Sequence, residues 1–280
     1  MEASTVKNEI ESALVDLPTL SPAVLKIVEL SNDLSASPRD LMNTIKLDPS
    51  LTVRILNLIN SAYFSMPQKI TSLNRALILL GFNTIKNIAL SSAIAEATGG
   101  RNEAVDLIWR HLLAVGVTSK AIAQACGQPK QVLEEFFISG LLHDIGDMML
   151  MKFVPKFVEE AMTKVSKDNG NFHDACKEIM GIDGPLLGRM VIEHWKLPEV
   201  FCQIANHRDN HEKDLPAVVH AVHLADKVVR GMEIGFVSDF QDLKINNNDL
   251  SANSIESAEL DNIREDILDL VESAEVIIGG

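Results

Sequence analysis

Three times between residues 21 and 49 a capping side chain stands directly before a proline: Ser21-Pro22, Ser37-Pro38 and Asp48-Pro49. The locked φ of proline suits the first position of a helix, where its missing N–H has no intrahelical acceptor in any case. The Ser or Asp oxygen can take up an exposed amide of the first turn. Each pair therefore predicts a helix start, and three short helices should follow in succession. Ser37 and Asp40 also have capping-box spacing, although Asp is a shorter partner than the usual Glu or Gln. Leu51, Ile55, Leu58 and Ile59 then repeat on one helical face, and Leu77, Leu80, Ile85, Ile88 and Ala89 continue the period after a break near Gly81. No alternating Val/Ile/Thr run lies between hairpin turns, so strands should be few. The expected fold class is all-α.

The chain is long enough, at 280 residues, to bury a sizeable core, and 46% hydrophobic with 23% charged residues is an ordinary globular composition. One or two domains are expected. A formal net charge of −14 and a pI near 5.0 argue against nucleic acid and against an anionic membrane surface, both of which call for a Lys/Arg face. The apolar stretch from Leu107 to Ala125 is interrupted by Arg110, His111 and Lys120, which are too costly at a bilayer centre for a spanning helix. The first ten residues carry Glu2 and Glu9 where a secretory signal needs a basic region before an apolar run. Cys126, Cys176 and Cys202 are widely separated and read as reduced thiols. A cytoplasmic location is expected.

One pair of residues carries most of the chemistry. His143 and Asp144, in Phe137-Ile-Ser-Gly-Leu-Leu-His-Asp-Ile-Gly146, can clasp one divalent metal, and His111 upstream with Asp226 downstream completes an ordered His, His-Asp, Asp set. Two imidazoles and two carboxylates suit Fe, Mn or Zn with positions left for water or substrate. The competing reading is a metal-free, hydrogen-bonded polar core in which Asp and His satisfy one another. No nucleotide-binding glycine loop and no Ser-His-Asp or Cys-His nucleophile arrangement stands out.

The order of these residues resembles the HD superfamily of metal-dependent phosphohydrolases. Leu17-Pro-Thr-Leu-Ser-Pro22, Leu47-Asp-Pro-Ser-Leu51, Ile59-Asn-Ser-Ala-Tyr-Phe64 and Ala76-Leu-Ile-Leu-Leu-Gly81 narrow it to the HDOD branch, the HD-related output domains of bacterial signalling proteins. The resemblance runs from about Leu14 to Arg230. It implies a two-lobed helical regulatory module whose HD pocket is often not catalytic, and whose output is a contact with a signalling protein or a small ligand.

Departures from the two-metal relatives limit what the resemblance implies. Where those carry a further His and a His pair, this chain has Gly184 and Asn206-His207; where they carry Lys after the glycine, it has Asp147, expected to repel an anionic substrate. A one-metal site at His111, His143, Asp144 and Asp226 is the implied maximum. The alternative to a regulatory module is a single-metal phosphohydrolase in which the ion acidifies a water for attack on a phosphoester, with Arg110, His207 or Arg208 balancing phosphate charge. The regulatory reading, by contrast, requires no turnover by the chain.

Three regions are expected: a first helical lobe over 1–100, ending at Gly99-Gly100; an HD-like lobe over 101–236; and an acidic segment over 237–280. That last segment holds 11 Asp or Glu against Lys244 and Arg264, a balance of 2 − 11 = −9 out of the total −14. Asn246-Asn-Asn248 reads as a loop. Ile255, Leu260, Ile263, Ile267, Leu270 and Val271 read as one amphipathic helix, packed on the body or on a partner.

Overall fold

All three cap-and-proline pairs open helices. In a computed structural model, which describes residues 3–17, 20–33, 36–98, 103–168, 170–206, 215–236 and 243–274, every regular element is helical. After α1 (Ala3–Val15) come α2 (Pro22–Asn32), α3 (Pro38–Lys46) and α4 (Pro49–Ile59), then a single 3-10 turn at Ala62–Phe64 and α5 (Leu73–Thr98). The side chains of Ser21, Ser37 and Asp48 accept from the backbone N–H of Val24, Asp40 and Leu51, and Asp40 returns the bond to Ser37 to close the capping box. The face Leu51, Ile55, Leu58, Ile59 is buried as expected.

Helix α5 is broken where the sequence places the break. Gly81 takes φ 83° and ψ 170°, a conformation open to glycine, and the apolar period resumes beyond it at Ile85, Ile88 and Ala89. By length and composition α5 could cross a membrane, but the kink and the burial of 56% of its most apolar stretch mark it as the core helix of the first lobe. Helices α2, α3 and α4 pack around it.

The second lobe contains α6 (Glu103–Ala125), α7 (Leu133–Leu142), α8 (Ile145–Phe153), α9 (Pro155–Asp168), α10 (Phe172–Met180), α11 (Gly184–His194), α12 (Glu199–Ala205) and α13 (Ala217–Gly231). The antiparallel α6–α7 pair forms its spine, with α13 laid across both helices and α8 packed on α11. Trp195 is a fully buried anchor after α11, and the three cysteines are free thiols. One continuous apolar core joins the lobes. Helix α5 also touches α7, and Lys152 of α8 donates to the last carbonyl of α5, Thr98, at 2.9 Å. Helix α1, although first in the chain, packs on α10 and α8. Gly99-Gly100 lies outside the described residues.

The acidic segment holds two helices where one was expected: α14 (Asn247–Asn253) and α15 (Ser257–Ala274). The asparagine run is a helix start. Asn246 accepts from the N–H groups of Asn248 and Asp249, and Asp249 closes a capping box back onto Asn246. Asp249 also reaches buried Lys227 of α13 at 3.2 Å. Helix α15 lies along α6 and against the 3-10 turn, burying Leu260, Ile267 and Val271, with Ile255 buried just before it.

Candidate metal centre

The α6–α7 spine and α13 bring the sequence-selected donors together. His111 comes from the middle of α6, and Asp226 from the middle of α13. His143 is the residue that ends α7, and Asp144 stands directly before α8. An Asp in that last position ordinarily caps its helix. Asp144 makes no such bond, and its carboxylate turns to the imidazoles instead.

His111 Nε2 lies 3.3 Å from His143 Nε2, 3.4 Å from Asp226 Oδ1 and 3.7 Å from Asp144 Oδ2. His143 Nε2 lies 3.2 Å from Asp144 Oδ2 and 3.7 Å from Asp226 Oδ1. All four donors fall within 4.8 Å of one another. Bonds of about 2.1 Å to one ion would set neighbouring donors roughly 3.0 Å apart in an octahedron and roughly 3.4 Å in a tetrahedron. The observed spacings fit a single first-row divalent ion, and the mixed nitrogen and oxygen set suits Fe, Mn or Zn.

Surrounding groups aim two of the donors. His143 Nδ1–H donates to Gly140 O at 2.7 Å, which turns Nε2 inward. Arg230, one helical turn beyond Asp226, sets Nε 3.1 Å from Asp226 Oδ2 and leaves Oδ1 on the donor side. Arg230 is legible in the sequence as an i, i+4 partner of Asp226. By contrast, His111 Nδ1 is buried with no hydrogen-bond partner among the described residues, so this ring is aimed by its helix alone. Phe236 N–H donates to Leu107 O, and Gly235 lies against the His111 backbone, where a Cβ would meet His111 N at 2.5 Å.

Burial alone would push the His143 pKa down, but Asp144 and Asp226 outweigh it and hold the value up at about 10. Without metal, the centre is therefore a charged imidazolium and Arg230 against two carboxylates. Because its folded pKa lies above the ordinary histidine value, His143 adds stability to the metal-free protein that is fully present below pH about 6.5 and is lost as pH rises through about 10. Metal must displace this proton. Apparent affinity for Zn2+ should thus rise about tenfold per pH unit through neutral pH, with one proton released per ion. Calorimetric titration in buffers of different ionisation enthalpy measures that proton, and a buffer-independent heat would show His143 to be already neutral.

Other selected residues are placed differently. Arg110 is exposed, about 100° around α6 from His111, and the described structure turns it to solvent instead of to the donors. His207 and Arg208 lie outside the described residues. Asp147 does not offer its charge to an anion: it is buried, with Oδ2 3.2 Å from His173 Nε2. A Cβ at Gly184 would sit 1.7 Å from Asp147 Oδ1, so the position that carries a ligand in two-metal relatives has no room here for a side chain.

An all-helical, two-lobed fold with His, His-Asp and Asp converging on one buried point defines an HD-type protein. The family model for the HDOD domain matches residues 17–211. The chain belongs to the HDOD family. Its structure is similar to an HDOD domain protein of unknown function from Geobacter sulfurreducens, at TM-score 0.76 and 23% identity over 99% of both chains. A candidate phosphohydrolase from Shewanella amazonensis SB2B gives TM-score 0.71 at 19% identity, covering 96% of this chain and 98% of the other. A candidate signal transduction protein from Marinobacter aquaeolei VT8 gives 0.77 at 15% identity, covering 99% of this chain and 66% of the other. Among curated proteins, an uncharacterised protein of Treponema pallidum (strain Nichols) is 22% identical over 185 residues, 66% of this chain. The chain spans about a third (36%) of the length of that relative. At these identities the structural likeness speaks to the fold.

Proposed function

We propose that the chain is a cytoplasmic signalling module whose output is contact with a protein or small ligand, and whose HD centre holds one divalent transition metal at His111, His143, Asp144 and Asp226 as a structural or regulatory element. The observation that carries this reading is burial. The side chains of His111, His143 and Asp226 are at most 2% exposed and that of Asp144 is 9%. A phosphoester needs an open side of the ion, and Asp144 alone reaches the surface. The role of Arg230 is to balance Asp226, and that of His143 is to give up its proton on loading. When bound, an ion of this class would polarise a water or a phosphoryl oxygen. The negative overall charge and the outward-turned Arg110 favour a regulatory role over turnover of anionic substrates. A signalling role agrees with the name of the Marinobacter protein.

Metal bound only to the folded state adds stability by mass action, about 2.7 kcal/mol at a hundredfold excess over Kd. Chelation of protein purified without added ions should therefore lower the melting temperature of the wild type and leave His143→Ala unmoved. An equal response in both would remove the metal. Phosphatase and phosphodiesterase assays on the same sample are expected to show no turnover, and turnover lost in Asp144→Ala would establish the single-metal phosphohydrolase instead.

A further inference from the structure

Three pairs of residues face one another along the α6–α7 seam in a single antiparallel register. His111 meets His143 through their Nε2 atoms, Gly116 meets Gly140 backbone to backbone, and Lys120 is ion-paired with Glu134. The outer two pairs are nine residues apart on each helix, 111 to 120 and 134 to 143. That is roughly 13 Å of helix axis. A slide at one pair is therefore a slide at the other. Glu134 resists it strongly, because it is a buried carboxylate whose cation is Lys120.

The Lys120–Glu134 pair has a third member, supplied by the first lobe. Tyr63, in the 3-10 turn after α4, accepts a hydrogen bond from Lys120 Nζ at 3.0 Å and sets its ring 4.4 Å from the same ammonium. Phe64 and Phe137 pack on that ring at 5.0 and 5.4 Å between centroids. Asn60 fixes the turn that presents it. Its Nδ2 donates to Leu56 O and Ile70 O, and its Oδ1 accepts from Ile70 N. The Asn60-Ser-Ala-Tyr63 segment, physically a cap and a packed ring, is thus also the point where the first lobe grips both helices of the metal centre.

We propose that Tyr63, Lys120 and Glu134 are positioning residues for the metal centre: they hold the α6–α7 register that brings His111 Nε2 to His143 Nε2, so the seating of the first lobe and the metal affinity are linked. His111 is the responsive donor, since no second hydrogen bond fixes its ring and α6 alone sets its aim. The inference rests on the metal reading given above. Linkage runs both ways, so metal must tighten the Tyr63 contact by the factor with which that contact tightens metal.

Tyr63 is the only tyrosine, so protein made with 3-fluorotyrosine gives one fluorine resonance. Saturating Zn2+ should shift that resonance in the wild type and not in His143→Ala. In the other direction, Glu134→Gln and Tyr63→Leu should each weaken Zn2+ binding by about tenfold or more, the scale of losses from groups that orient ligands. Tyr63→Phe, which keeps the ring, should lie between Tyr63→Leu and the wild type. The visible absorption of the Co2+-loaded variants should change as well, which a merely less stable protein would not show. Wild-type Zn2+ affinity in the folded variants, with a fluorine signal that ignores Zn2+, would overturn the linkage while leaving the metal in place. Failure of the wild type to bind Zn2+ at all would overturn both.

Discussion

Cutting the chain after Phe236 should leave a protein that aggregates or fails to fold, although the cut spares every metal donor and the whole of the matched family region. Helix α15 buries Leu260, Ile267 and Val271 as it packs on α6 and the 3-10 turn, α14 packs on α13, and Ile255 is buried between the two helices. Burying an aliphatic side chain of this size is worth about 1.5–3 kcal/mol, so four of them come to roughly 6–12 kcal/mol at the upper bound. Domains of this kind are stable by only about 5–15 kcal/mol. The cut also strips Asp249 from Lys227, a lysine otherwise held inside the protein. Denaturant unfolding with light scattering is the measurement, and a monomeric truncated protein with the wild-type midpoint would show the segment to be dispensable. Asp249→Ala in the full chain separates the terms: it removes the capping box of α14 and its ion pair with Lys227 while keeping the apolar burial, and should lower the unfolding midpoint by less than the cut does.

What the sequence disclosed and what it withheld divide along the range of the forces involved. Helix starts at Ser21, Ser37 and Asp48, the break at Gly81 and the apolar face of α4 are local, set by residues within a turn or two, and all appear where spacing places them. The His, His-Asp, Asp order was readable for another reason: imidazoles and carboxylates on apolar helices are costly unless they meet. Asn246-Asn-Asn248 misled because asparagine is poor inside a helix yet favoured at its start, and the tie that fixes α14 is a long-range ion pair to Lys227. Asp147 misled because adjacency to the His-Asp pair says nothing about direction. Three residues beyond Asp144, the buried carboxylate of Asp147 meets His173 and lies against Gly184. The glycines of the α6–α7 seam were silent in the sequence, since close approach of two backbones is a tertiary fact.

That seam carries the second large effect. Gly140→Ala should abolish the metal centre and destabilise the fold severely, while Gly116→Ala should do both more mildly. A Cβ at Gly140 would sit 2.6 Å from Gly116 Cα and 2.7 Å from Gly116 N, backbone atoms that can yield only by moving α6 off α7. A Cβ at Gly116 meets Phe137 O at 2.9 Å and otherwise the edge of the Phe137 ring at 3.2 Å, a softer obstacle. Overpacking of a tight core costs about 1–3 kcal/mol or more. Gly140 sits at the hard end because its carbonyl is also the acceptor that aims His143. Parting the helices by even half an ångström would open the 3.3 Å gap between His111 and His143, which a bond length near 2.1 Å to each cannot follow without distortion. Zn2+ affinity should therefore fall further than stability does in Gly140→Ala, whereas a variant that only loosened the core would lose the two in proportion. Thermal unfolding and Zn2+ titration of both variants measure this, and equal, small losses at the two glycines would mean that the seam tolerates a methyl group and does not set the spacing of the histidines.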